Sequence, residues 1–266
     1  MLDLGLITND QSGPFQSGII SGVQANLQRA EALHIFSLKH QALPADLKGF
    51  DGLIVLANAL PDEQLRELWR GGVALSLISH HLPASNIPTL MFNHSQGIAI
   101  LVRHLVVNCG RRRLAFVRGI PEQLDARQRE AAFRREMMRH ELPLDEAYFL
   151  RGDFDPTTAS DSMAAFVESG QPLDGVLAAD FAMAGAIKAT LQAQGMAVPE
   201  AVSVVGFGDD ASAEAAGIST VAANLQELGR RALRQLRSQI EGLPIRGVTT
   251  LNVQLIVRGS CGYQAP

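Results

Sequence analysis

The chain has 266 residues, 47% of them hydrophobic and 19% charged, a composition that excludes a disordered or low-complexity protein. Its 23 Lys+Arg against 27 Asp+Glu give a formal net charge of −4, the wrong sign for a chain whose main task is to neutralise phosphate. No run approaches the about 18 to 20 consecutive apolar residues of a membrane helix, and the opening residues 1–8 are too short and acidic for an export signal, so a cytoplasmic protein without membrane contact is expected.

Length allows one large domain or two lobes of about 130 residues each. Short apolar runs at 4–8, 35–38, 53–56, 74–78 and 114–117 read as strands buried on both faces. Between them, Ile19, Ile20, Val23 and Leu27 recur at helical spacing, as do Leu65, Leu68 and Trp69 after the helix-start signal Pro61-Asp62-Glu63. Leu65 and Trp69 form a candidate apolar patch, with core packing as the alternative. A third helix carries Ile98, Val102, Leu105 and Val106 and stops near Cys109-Gly110. The basic run Arg111-Arg112-Arg113 reads as a solvated helix end.

A second cycle follows Gly119-Ile120-Pro121. Its helices run over 125–140, 158–167 and 182–194, and its strands over 148–150, 176–178 and 202–207. A last helix, 225–240, opens with Asn224 and Glu227 in a capping box, and one final strand spans 248–257. Strand-helix-strand wiring of this kind predicts an α/β fold of two Rossmann-like lobes, each a parallel sheet flanked by helices. Gly119-Ile120-Pro121 lies between the two cycles.

Catalytic signatures are missing from the sequence. There is no phosphate-binding G-x-x-x-x-G-K-[ST], no G-x-S-x-G elbow and no H-E-x-x-H. Gly206-Phe207-Gly208 lacks the third glycine of a dinucleotide site, and Asp209-Asp210 reads as a turn. The two cysteines, Cys109 and Cys261, stand far apart and form no C-x-x-C pair, so two free thiols are expected instead of a disulfide or a metal site. No cofactor is called for, and an enzyme is the least supported reading.

In open α/β sheets ligands bind beyond the carboxyl ends of the strands. Those ends carry Asn9 and Asp10, Asn58, His80 (beside His81), Phe154, Asp180 and Asp209, with Phe15 on the first helix. Polar groups alternating with aromatics suit a small polar ligand with an apolar face, such as a sugar or nucleobase. Each residue also has a structural alternative. Asn9, Asp10 and Asp209 form turns well, Phe15 and Phe154 are core-sized, and Asp180 is placed to cap the next helix.

Several blocks point to one family. They are Gly97-Ile-Ala-Ile-Leu-Val-Arg-His-Leu105 with Cys-Gly-Arg-Arg-Arg-Leu-Ala-Phe-Val117, Gly152-Asp-Phe154, Asp174-Gly-Val-Leu-Ala-Ala-Asp180 and Val198-Pro-Glu-Ala-Val-Ser-Val-Val-Gly-Phe207, closed by Leu255-Ile-Val-Arg-Gly-Ser-Cys261. In this order they resemble the effector-binding core of the LacI/GalR transcriptional regulators, a branch of the type I periplasmic-binding-protein fold. The resemblance implies three crossovers between the lobes, which then span 1–118 plus 223–247 and 119–222 plus 248–266, a ligand cleft, a homodimer, and DNA contact only through a helix-turn-helix headpiece outside this chain. It places Arg129 at the family's effector-contacting arginine with Phe133 as its aromatic, Phe154 where an aromatic packs on a sugar face, and Asp180 and Asp209 at polar ligand-binding positions.

Three departures accompany the match. Ala132 stands for the glycine after the arginine motif, Phe181 for the acid of an Asn-Asp pair, and Gly208 for the first acid of an Asp-Asp pair. Those acids commonly bind sugar hydroxyls, so the ligand class stays open. The expected function is effector sensing for transcription, with lobe closure altering dimer geometry. The alternatives are the sensor of a histidine kinase or diguanylate cyclase, and a free-standing solute-binding protein.

Overall fold

The computed structural model describes residues 1–44, 46–57, 59–80 and 82–263. The chain divides into two compact units, residues 1–92 with 223–251, and residues 93–222 with 252–266, so it passes between them three times.

The first unit is a six-stranded, all-parallel sheet in the order β11-β5-β4-β3-β1-β2. These strands are β1 (Leu2–Thr8), β2 (Glu31–Ser37), β3 (Gly52–Leu56), β4 (Ala74–Ile78), β5 (Thr89–Phe92) and β11 (Val248–Leu251). Alternation along the central strands fills two separate cores, because successive side chains leave opposite faces. Leu4, Leu6, Ile54, Leu56 and Ile78 pack with helices α1 (Pro14–Gln24) and α8 (Leu225–Ile240). Ile7, Leu53, Val55, Leu75 and Leu77 pack with Leu65 and Leu68 of α2 (Asp62–Arg70).

Helices α1 and α8 approach at backbone distance because glycines line the contact. A Cβ on Gly229 would run into the Ile19 carbonyl, and one on Gly22 into the Gln226 carbonyl. Asn224 caps α8 by accepting from the Glu227 amide at 2.9 Å. The Glu227 side chain turns instead to Arg230 and Arg231, at 2.6 and 2.7 Å, so the capping box is half made. Near the end of α8, Arg237 holds the buried Glu31 carboxylate through two 2.6 Å hydrogen bonds.

The second unit repeats the plan in the order β12-β10-β9-β8-β6-β7, parallel except for β12. Its strands are β6 (Leu114–Val117), β7 (Phe149–Leu150), β8 (Gly175–Ala178), β9 (Ser203–Phe207), β10 (Ser219–Ala222) and β12 (Gln254–Ile256). Helices α3 (His94–Arg103) and α4 (Leu124–Arg139) pack together, as do α5 (Pro156–Glu168) and α6 (Phe181–Ala193); a short α7 spans Ala211–Ala215. Neighbouring β9 residues show the two faces. A Cβ on Gly206 would meet Ala184 of α6, while the Phe207 ring lies against Gly97 of α3.

Several expectations change. The boundary between units falls at Phe92, not at residue 118, because Leu114–Val117 pairs with β7 and β8 of the second sheet. The single strand expected over 248–257 splits at Asn252–Val253, its first part pairing with β5 and its second with β10. Strand β2 is half-buried because it lies at a sheet edge. Leu65 is fully buried and Trp69 packs on the α2-side core, so the pair is no exposed patch. Arg111 is no solvated end either: its guanidinium donates to Ser203 Oγ at 2.8 Å and to the Pro199, Glu200 and Ala201 carbonyls. Cys109 and Cys261 are free thiols, yet the fold gathers both around His104.

The α1–α8 contact gives a direct test. Gly229→Ala forces two helix backbones apart and is expected to destabilise the chain by about 1–3 kcal/mol, the range for overpacking, measured by urea unfolding. Replacing the neighbouring, half-exposed Arg230 with Ala should shift stability by less than about 1 kcal/mol.

Candidate functional site

Both sheets share the strand order in which the second strand lies to one side of the first and the third to the other. Such sheets have a switch point between first and third strands, where the connections leave in opposite directions and open a crevice at the carboxyl ends. It falls between β1 and β3 in the first unit, and between β6 and β8 in the second.

In the second unit the switch point is built around Arg129 of α4. Its side chain is 10% exposed, so its charge must be satisfied largely by protein groups. One terminal nitrogen donates to the Ala179 carbonyl just past β8 at 2.7 Å. The other meets Asp125, one helical turn earlier, at 3.0 Å. Nε donates to His94 Nδ1 at 3.3 Å. The guanidinium carbon lies 4.3 Å from the Phe207 ring centroid and 5.6 Å from that of Phe154, both within cation–π range. A guanidinium carries five N–H donors; among the described residues three have partners.

Each neighbour has a local reason for its place. His94 opens α3, whose cap is Asn93 accepting from the Gln96 amide at 3.0 Å. Asp180 caps α6 by accepting from the Met183 amide at 2.8 Å. Phe154 and Asp153 both have positive φ, 55° and 53°, a strained conformation for a bulky side chain. The bend lays the Phe154 ring directly over Gly119, where any Cβ would collide with it.

Burial and charge set the protonation states. Arginine has no acceptor, so the Nε–His94 contact requires a bare Nδ1, and therefore the neutral ring with its proton on Nε2. Burial, then repulsion by Arg129, lowers the His94 pKa to about 3, which leaves the ring neutral. Burial also raises the Asp180 carboxyl, against the pull of its amide donors and Arg129. The Arg129 pKa is lowered by burial and opposed by Asp125 and Asp180.

In the first unit the switch point is bridged by Asn9, which donates through Nδ2 to the Ala57 carbonyl at 3.2 Å. Asn58 lies outside the described residues. Ala57 and Ser79, just past β3 and β4, have φ of 43° and 54°, so these strand ends bend like the Phe154 loop. His80 is buried, with Nε2 2.9 Å from Asp62, and its Nδ1 is buried with no partner among the described residues. Phe15 meets Phe92 edge-on at 6.0 Å. Asp10 holds Ser12 and Lys39, which keep its carboxyl far below the usual range.

The fold thus assembles Arg129, Phe154 and Asp180 and adds His94 and Phe207, which the sequence reading did not select. The Asn93 cap followed by a histidine at a helix start was the available signal for His94. Two other expectations fare differently. Asp209 is held by Arg258 at 2.7 and 2.9 Å and by Thr220 at 3.2 Å. Phe133 is fully buried, stacked on Phe116 at 4.9 Å in an aromatic core with Phe149, and offers a ligand no surface.

A buried cation flanked by two aromatic faces, a neutral imidazole and a carboxyl group is chemistry suited to a small polar molecule with a flat or apolar face. It lies within the second of two units that share a strand order and between which the chain passes three times. Residues 102–261 match the periplasmic binding protein-like domain family. The chain belongs to that family. Three proteins to which it is similar are LacI-type transcriptional regulators. The CytR transcriptional repressor of Escherichia coli K12 is 26% identical over 96% of this chain and 78% of its own length. The lactose repressor bound to the anti-inducer ONPF superposes with a TM-score of 0.80 at 20% identity, over 97% of this chain and 99% of that one. A sugar-binding LacI-family regulator from E. coli, complexed with phosphate, also reaches 0.80 at 22% identity, over 97% of each chain. Among the described residues no helix is long and apolar enough to cross a membrane.

His94 supplies a pH signature for this family member. Its folded pKa lies below the ordinary 6.5, so the unfolded chain takes up a proton that the folded chain refuses. Stability held above pH 6.5 is therefore lost as pH falls, by up to about 1.4 kcal/mol per unit. His94→Gln, which keeps an acceptor for Arg129, should flatten that slope between pH 6.5 and 5 in denaturant titrations. Equal slopes in both proteins would disprove a neutral His94.

Proposed function

We propose that this domain senses a small polar effector for a LacI-type transcriptional regulator, and that it binds without catalysing a reaction. The observation that carries this reading is Arg129, buried at the second unit's switch point with donors to spare between two aromatic faces. Asp180 accepts hydroxyl or amine hydrogens from the ligand, and Phe154 and Phe207 cover its flat face. Asn9 and His80 occupy the corresponding strand ends of the first unit and belong to the proposed ligand set. Asn58, Asp10, Phe15 and Asp209 are the outer members of the proposed set; Asp10 and Asp209 act through the residues they hold.

Ligand binding shifts the balance between open and closed arrangements by its difference in affinity for the two. In a cytoplasmic homodimer that shift changes the spacing of whatever output module the domain carries, and DNA is reached only through such a module. A sugar is one suitable ligand. A nucleobase or nucleoside suits the paired aromatics and the guanidinium equally well, since both classes present a flat or apolar face and polar edges.

The test is a thermal-shift screen of the purified chain against sugars, sugar phosphates, nucleosides and small organic acids, followed by calorimetry. A ligand at 100 times its dissociation constant stabilises the folded state by about 2.7 kcal/mol. Arg129→Ala is expected to weaken the hit at least about 10- to 100-fold, the range for charge-assisted hydrogen bonds. Binding unchanged in that variant would remove Arg129 from the site, and no hit across the panel would overturn effector sensing.

A further inference from the structure

A second cluster of chemically active side chains lies away from the switch point, where α3 ends. Helix α3 continues into a wider π-helical turn over His104–Asn108, which places the buried His104 ring and the half-buried Cys109 side by side. The chain's last segment returns with Cys261, which is fully buried. His104 Nε2 is 3.2 Å from Cys261 Sγ and 3.6 Å from Cys109 Sγ, and all three atoms lie within 4.8 Å of one another.

These separations match a coordination sphere. With Zn–S near 2.3 Å and Zn–N near 2.0–2.1 Å in tetrahedral geometry, nitrogen and sulfur ligands of one ion stand about 3.5 Å apart. Cys109 and Cys261 supply two soft thiolates whose charges cancel that of a divalent ion, as suits a buried position. The imidazole shows the same need from its own side. His104 Nδ1 is buried without a partner among the described residues, and Nε2 has only sulfur neighbours, so the ring lacks the strong hydrogen bonds that buried polar groups require.

The surroundings are built to hold the ligands. Ser203 Oγ donates to the Cys261 carbonyl at 2.8 Å and accepts from Arg111 Nε at 2.8 Å. Ser219 Oγ lies 3.2 Å from Cys261 Sγ. The Tyr263 ring meets His104 edge-on at 5.3 Å. Cys109, on the accessible side, leaves an entry path.

We propose that His104, Cys109 and Cys261 bind a thiophilic d10 cation of the Zn2+ class, with a water in the fourth position. Binding releases one proton from each cysteine to solvent. The ion ties the end of α3 to the last segment of the chain, and because α3 begins with His94 it also steadies the helix that presents His94 to Arg129.

The chain has only two cysteines, so thiolate-to-metal charge-transfer absorption reports this cluster alone. The experiment titrates Co2+, then Zn2+, into the full, reduced chain without oxygen, reading absorption, proton release and stoichiometry. One Co2+ per chain with thiolate charge-transfer bands, displaced by Zn2+ with two protons released in all, is the expected result. Cys109→Ser should weaken binding about 100-fold or more while the circular-dichroism spectrum stays native, a bound set by the 10- to 100-fold effects of outer-shell changes. His104→Gln, checked the same way, should abolish it. Co2+ uptake without charge-transfer bands, no uptake by the reduced chain, or unchanged affinity in a folded Cys109→Ser variant would each overturn the proposal. So would finding that the thiols only form a disulfide in air while the reduced chain takes up no metal.

Discussion

The guanidinium of Arg129 cannot give up its proton, and it sits where water does not reach, so its surroundings must replace the hydration shell. Four separate pieces of chain do this: the Ala179 carbonyl after β8, Asp125 one turn back on α4, His94 at the start of α3 and Phe207 at the end of β9. They meet only if β8 and β9 end level with one another and both helices start at that same height. A shift of one residue in the register between β8 and β9 would carry either the Ala179 carbonyl or the Phe207 ring away from the cation. The requirement to solvate one buried charge thus constrains the geometry of the whole carboxyl-end face.

Strain gathers at the same level in both sheets. Ala57, Ser79, Asp153 and Phe154 have left-handed backbone in the turns after β3, β4 and β7. Non-glycine residues adopt it at a cost of about 1–3 kcal/mol each when the surrounding structure over-determines them. In the second unit the over-determination is visible. The Asp153 amide bonds the Arg118 carbonyl at 3.0 Å, Gly152 admits no Cβ against that same carbonyl, and Gly119 gives room to the Phe154 ring. The bend turns an aromatic ring towards Arg129 where a relaxed turn would point it elsewhere.

Much of the fold was legible because each central strand feeds two cores and so reads as an unbroken apolar run. The division of the chain was not, since it rests on pairing between distant segments. Nothing local distinguishes Leu114–Val117 as a strand of the second sheet rather than the first. Residues 248–257 looked like one strand because their composition is continuous, yet Asn252 and Val253 carry the chain from one unit to the other. Arg111 read as solvated because its acceptors arrive from Pro199–Ser203, about 90 positions later. The two thiols stand even further apart, and only the return of the last segment past the end of α3 joins them.

At the site, residue type and position at a strand end identify who is present but not whose hydrogen-bonding capacity is left over. Asp209 and Arg129 looked alike as polar residues in the right places. Asp209 has two carboxylate oxygens, and Arg258 meets both from 49 positions away, closing a structural pair. Arg129 has five donors in a fixed fork, of which three have partners among the described residues. Asp180 lies between these cases: one oxygen caps α6, and burial raises its carboxyl pKa against the pull of its amide donors and Arg129. Ligand-facing character is therefore a property of the surplus after internal demands are met, and that surplus depends on partners dispersed along the whole chain.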